Sequence, residues 1–276
     1  AEVVWSTKEN RNYKNFVKRL VHFNKRLDVM NVNYAKHLHE VKAQVLNDNG
    51  HLTLQLETTT DHKIIYSLDG KKPNYLVHSE YKRPIIIDSS ITIKAAVFNT
   101  DKQQLGGVLK QKIKLHKAVG KKISLNVKPD KGYNTGGKKA LINGVSGNNK
   151  RNGDKEWLGF SGDDVEIIIK FDSPTEINSI ATRFFNKTNQ WIYVPKTLNL
   201  ELTLEDGSII SSKNTVKNDN SLLVNFNLNM AAFYPEDKIL KTNKLKITIP
   251  NYGIIPPGKK GAGHKAWTFI DEIVIE

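Results

Sequence analysis

From about Val41 onward the chain alternates apolar and polar residues with a period of two, and that pattern restricts the fold to antiparallel sheet. In "HLTLQLE" the residues Leu52, Leu54 and Leu56 point one way. In "DVEIIIKFD" the same is true of Val165, Ile167, Ile169 and Phe171, and in "TLNLELTLEDG" of Leu198, Leu200, Leu202 and Leu204. A strand with one apolar face needs a second apolar layer to cover it, so such a chain builds sandwiches. Turn residues punctuate the runs at Asp69-Gly70, Pro73-Asn74, Asp88-Ser89-Ser90 and Asp206-Gly207. Short strands at this spacing predict a small β-sandwich over 41–117 and a longer jelly-roll-like sandwich over 118–276. In the second, the long polar loops 133–157 and 250–266 are where binding is expected to reside.

The first 40 residues read differently. Tyr13, Phe16, Val17, Leu20, Phe23 and Leu27 recur at helical spacing, with Lys8, Arg11, Lys14, Lys18 and Arg19 on the other faces. This predicts one amphipathic helix, opened by a capping box at Ser6 and Glu9 and ending near "DVMNVNY". Ala1–Trp5 reads as a strand feeding it. The fold class expected is therefore mainly β: one amphipathic α-helix followed by two β-sandwiches.

Composition removes several function classes. Cysteine is absent from the 276 residues, so neither a disulfide framework nor a thiolate metal site is available. The net charge is +14, but most lysines alternate with apolar residues, as in "KLKITIP" and "KIKLH", which places them on solvated faces. That distribution argues against a nucleic-acid partner and is compatible with attraction to acidic glycans or a negative cell surface. No stretch has the apolar length of a membrane-spanning helix, and no targeting segment stands in the chain. His37 and His39 form an H-x-H pair with no third ligand at metal spacing.

Three consecutive stretches carry resemblances to known families. Ala1, Glu2, Trp5 and Ser6, followed by Arg26, Leu27, Asp28, Asn33 and Tyr34, resemble the last strand and helix of the catalytic barrel in glycoside hydrolase family 20, the β-N-acetylhexosaminidases. This gives residues 1–40 the expectation of a truncated (β/α)8 barrel end. Tyr66, Asp69, Gly70, Pro73, Tyr81, Pro84, Thr92 and Lys94 are similar to the fibronectin-III-like module that follows that barrel in many bacterial members. "GGKKALINGVSG", "EWLGFSGDDVEIIIKFDSPTEINSIATRFF", "QWIYVPKTLNLELTLEDG" and "GAGHKAWTFIDEIVIE" resemble the F5/8 type C, or discoidin, domain in its carbohydrate-binding form.

These resemblances imply a non-catalytic C-terminal region of an exported β-N-acetylhexosaminidase, with the catalytic barrel of the same parent chain as a partner. Family 20 enzymes use the substrate's acetamido group and an Asp-Glu pair on an earlier barrel strand, an exception to the two-carboxylate scheme. That pair is absent here, so no catalytic residue is expected; Asp271-Glu272 falls in the final sandwich strand and is not assigned its role. In discoidin-like domains an acidic residue and a terminal Glu help to bind a structural calcium ion. The matching positions are Asn143, an amide in place of the acid, and Glu272. The alternative is that Asn143-Gly144 is a tight turn and Glu272 a capped surface acid. Sugar binding needs aromatic faces with planar polar groups beside them. The candidates are Arg183, Asn186, Trp191, Tyr193 and His264, for glycans ending in N-acetylhexosamine or galactose. Trp157 and Trp267 are expected in the core. The rival to carbohydrate binding is a structural brace or a dimerisation module without ligand, and a third reading is adhesion to polyanionic surfaces.

Overall fold

The computed structural model describes residues 2–48, 51–233 and 241–276. Ala1, the first residue of the barrel-strand pattern, lies outside them. The chain forms two compact units, one from residues 1–48, 52–87 and 91–112, the other chiefly from 113–276.

In the first unit the expected N-terminal strand is a single helical turn, α1 (Glu2–Trp5). A strand needs neighbours to pair its N–H and C=O groups, whereas a helical turn pairs them locally. The amphipathic helix is α2 (Tyr13–Val29). Its cap is Asn12, whose side chain accepts from the Asn15 N–H at 2.9 Å, so the Ser6/Glu9 capping box is not what opens it. The far end closes on Asn31, at φ 57. Val32 N–H reaches Leu27 O at 2.9 Å and Asn31 N–H reaches Asp28 O at 3.1 Å, a Schellman-type stop. Tyr34 Oη then donates to Asp28, which ties the helix to the chain that leaves it.

Two sheets follow. One is three-stranded, in the order β1 (Val41–Asp48), β2 (His51–Thr58), β5 (Ile85–Ile86). The other is four-stranded: β4 (Ser79–Glu80), β3 (Lys63–Ser67), β6 (Ile91–Phe98), β7 (Gln104–Ile113). Leu52, Leu54 and Leu56 are all buried, as the alternation predicts. Gly70 sits at φ 74, the left-handed region that the Asp-Gly turn requires.

The second unit is a sandwich. One sheet runs β13 (Ile209–Thr215), β12 (Thr197–Leu204), β15 (Lys241–Ile249), β10 (Val165–Glu176), β8 (Lys122–Leu125). The facing sheet runs β14 (Leu223–Asn229), β11 (Ser179–Phe185), β16 (Trp267–Ile270), β9 (Leu158–Ser161), with β17 (Val274–Ile275) also on β11. Val165, Ile167, Ile169 and the four leucines of β12 fill the space between them, with Ile180, Phe184 and Ile270 opposite.

The outer face of the second sheet is covered as well. Phe185 and Phe269 point outward there and are roofed by Trp157 and Ile192, all buried. Trp157 is in the core as expected. Trp267 shares the outer face with Phe269 but is only half-buried, with Tyr133 packed edge-on against it at 5.6 Å. The loop carrying Trp157 passes so close that a Cβ on Gly147 would lie 2.3 Å from the indole nitrogen. Gly147→Ala is therefore expected to destabilise the protein by about 1–3 kcal/mol through overpacking, read as a lower midpoint in denaturant unfolding.

Candidate functional site

The segment between β16 and β17 carries Asp271 and Glu272, both buried. Neither is a surface acid. Asp271 Oδ2 accepts from Arg183 Nε at 3.0 Å, again from Arg183 Nη2, and from Gly147 N–H at 2.9 Å. Arg183 also donates to Asn149 Oδ1 and to Gly147 O, both at 2.8 Å, and its guanidinium lies 5.5 Å from the Trp157 ring centre. One arginine on β11 thus fastens the 147–149 loop across the sheet's outer face. Burial pushes the Asp271 carboxyl up, and Arg183 opposes that.

Glu272 forms a second clasp. Its Oε1 accepts from Gly144 N–H at 2.9 Å and lies 2.7 Å from His116 Nε2; its Oε2 accepts from Asn143 N–H at 3.3 Å. The Ile275 N–H faces His116 Nδ1 at 3.4 Å, which assigns the imidazole proton to Nε2. Burial pushes His116 down to about 4 and pushes Glu272 well above the usual carboxylate range. Both shifts say that this spot disfavours charge. Asn143 accepts from Val145 N–H at 2.8 Å and donates through Nδ2 to Glu156 Oε2 at 2.8 Å. Asn143-Gly144 is also a tight turn, with Gly144 at φ 79.

These residues do not fit the calcium cage that the discoidin resemblance implies. A hard cation takes a shell of oxygen ligands. Here an imidazole N–H faces Glu272, and Asn143 has its oxygen on a backbone N–H and its NH2 on Glu156. Among the described residues no three His, Asp or Glu side chains form a metal-holding group.

The five expected sugar contacts separate into three places. Arg183 is in the clasp just described. Asn186 donates to Asn218 Oδ1 at 3.3 Å and Ser221 O at 3.1 Å, bracing the loop before β14. Trp191, Tyr193 and His264 come together where the 186–196 loop meets the 250–266 loop. Tyr193 is buried with Ile255 and Ala266, and its hydroxyl has no partner. Trp191 and His264 stack at 4.8 Å with an interplanar angle of 17°. Trp191 is half-buried and His264 exposed.

Trp191 adopts φ 67, ψ 13, a left-handed conformation unusual for a bulky residue. Its neighbours hold it there. Trp191 N–H donates to Thr188 O at 3.1 Å, Trp191 O accepts from Trp267 N–H at 2.8 Å, and Tyr193 N–H donates to Trp267 O at 3.0 Å. The opposing loop fits the indole closely: a Cβ on Gly261, itself at φ 84, would fall 2.4 Å from Trp191 Nε1. Tyr252 packs on Tyr193 at 4.7 Å and carries Lys196 Nζ 4.9 Å over its ring. Gly261 and Lys196 were missed from sequence; the run Gly258, Gly261, Gly263 was the available signal for a loop that approaches something closely.

Residues 52–112 match the family model described as Fn3 associated. No curated protein matches the chain. Among solved structures, the chain is similar to the family 32 carbohydrate-binding module from Streptococcus pneumoniae EndoD, at 11% identity and a TM-score of 0.37, over 59% of this chain and 99% of that one. It is similar to the C-terminal domain of a chitobiase from Bacteroides fragilis, at 18% identity and a TM-score of 0.35, over 58% of this chain and 95% of that one. It is also similar to the lectin domain of lectinolysin complexed with Lewis B antigen, at 9% identity and a TM-score of 0.36, over 59% of this chain and 96% of that one. The fold itself stands on the strand pairings above.

Two outcomes follow from the clasps. Arg183→Met leaves Asp271 buried without its cation and is expected to cost about 3–5 kcal/mol in denaturant unfolding, part of it recovered in the double variant with Asp271→Asn. Calcium and a calcium chelator are each expected to leave the thermal midpoint unchanged, since the Glu272 clasp closes on His116.

Proposed function

We propose that the 113–276 unit binds carbohydrate, with Trp191 as the stacking surface and His264, Tyr252 and Lys196 around it. The observation that carries this reading is the strained, half-exposed Trp191. A left-handed non-glycine residue costs on the order of 1–3 kcal/mol, and such strain gathers where a side chain has to be presented in one orientation. An indole offers an apolar face for sugar C–H groups, and His264 and Lys196 bring N–H donors for hydroxyls or acidic groups. The glycans proposed end in N-acetylhexosamine or galactose. On the same reading, the chain is the non-catalytic C-terminal region of an exported β-N-acetylhexosaminidase. The support is the motif resemblance in residues 1–34 followed by the Fn3 associated match at 52–112. No helix among the described residues is long and apolar enough to cross a membrane.

A structural role is the second reading. It is favoured by Arg183 and Asn186, whose polar groups brace loops instead of facing a ligand.

A glycan array with the full chain distinguishes these readings. The expected result is selective binding to N-acetylhexosamine- or galactose-terminated glycans that persists in high salt and falls at least tenfold in Trp191→Ala. A near-ultraviolet spectrum checks that the variant keeps its fold. An empty array, or binding indifferent to Trp191→Ala, removes the stacking surface and leaves the brace. Binding only to polyanions, and lost in high salt, assigns the interaction to the lysine-rich surface.

A further inference from the structure

The first unit holds a group of buried polar atoms that its own hydrogen bonds do not satisfy. They are Nδ1 of His39, Nδ1 of His62, Oγ1 of Thr58 and Thr60, and Oε1 of Gln104. They belong to one region. Thr58, Thr60 and His62 follow one another at the end of β2 and the turn after it. His39 ends the short 3-10 turn His37–His39 before β1. The His39 and His62 rings meet edge to face, with centres 5.4 Å apart. Gln104 reaches the same neighbourhood through β7: its Nε2 donates to Gly106 O at 2.9 Å, and a Cβ on Gly106 would stand 2.9 Å from His39 O.

A buried polar atom without a partner costs about 1–3 kcal/mol, and folded proteins keep few of them. Several in one region imply an occupant that the polypeptide does not supply. The chemistry of the atoms indicates which. Two are imidazole nitrogens. His39 is buried, and its Nδ1 has no partner within the described residues. Neutral imidazole nitrogen selects first-row transition metals over calcium or magnesium. His62 lines a groove of about 500 Å3, shared with Val17 and His22 of α2 and with Thr60 and Asp61.

We propose that His39 and His62 bind one divalent transition-metal ion of the zinc class through their Nδ1 atoms. Water entering from the groove completes the coordination, hydrogen-bonded by the Thr58 and Thr60 hydroxyls. The ion joins the chain leaving α2 to the turn between β2 and β3. The H-x-H pair visible in sequence, His37 with His39, is not the site: His37 is exposed and lies 2.5 Å from Glu40 Oε1.

The test titrates the full chain with Zn2+ by calorimetry and with Co2+ by visible absorption. Ca2+ and Mg2+ serve as controls, and His62→Ala, His62→Gln and His37→Ala as variants. One Zn2+ per chain is expected, with affinity at least tenfold weaker in both His62 variants and unchanged in His37→Ala. Zn2+ is also expected to raise the thermal midpoint of the wild type and not of His62→Gln, which is the informative variant if His62→Ala does not fold. No saturable binding, binding indifferent to His62, or loss on His37→Ala overturns the site. So does a crystal grown with Zn2+ in which only ordered water occupies the space between the two rings.

Discussion

The second unit depends on two buried carboxylates in adjacent positions. Asp271 and Glu272 lie where the chain crosses from β16 to β17, and each closes a different loop. Asp271 with Arg183 fastens 147–149, and Glu272 with His116 and the N–H groups of Asn143 and Gly144 fastens the turn before it. Burying two acids side by side is expensive unless every oxygen finds a donor. Here backbone N–H groups, a guanidinium and a neutral imidazole serve three of the four oxygens, and Asp271 Oδ1 is left without a donor. The arrangement orders a long loop with little regular structure, and with it the Trp157 roof on the outer face of the sheet.

That division of labour decides where recognition is available. Arg183 and Asn186 have the chemistry of sugar ligands but are engaged in bracing loops. The chain's polar groups near β11 therefore hold loops in place, and the exposed aromatic surface moves to the junction of the 186–196 and 250–266 loops. There the glycine-rich strap makes room for an indole, and backbone bonds on both sides of Trp191 hold a conformation that the residue would not choose alone. A conformation so constrained from outside keeps its orientation when nothing is bound.

The first unit's helix is well capped at both ends, by Asn12 and by the Asn31 stop, and its sheets carry the expected leucine face. Yet its buried polar atoms between β2, β7 and the His37–His39 turn lack partners. Each such orphan works against folding. An occupant rich in coordination or hydrogen bonds resolves it.

Much of this architecture was legible in the residues themselves. Period-two alternation put Leu54, Ile167 and Leu200 inside because a pleated strand has only two faces, and the Asp-Gly turns marked chain reversals because they need positive φ. The helix was legible for the same reason, though not its cap: Ser6 and Asn12 both suit the role, and only the observed start at Tyr13 chooses between them. Tertiary structure decided what local patterns cannot carry. It buried Glu272 beside His116, from which it is separated by most of the second unit, and turned an expected calcium ligand into a hydrogen-bond acceptor. It divided the five candidates among three places and paired His39 with His62 instead of His37. Sequence fixes which atoms can interact along a strand or a turn; which distant side chains share a dielectric and a hydrogen bond is set only when the sheets pack.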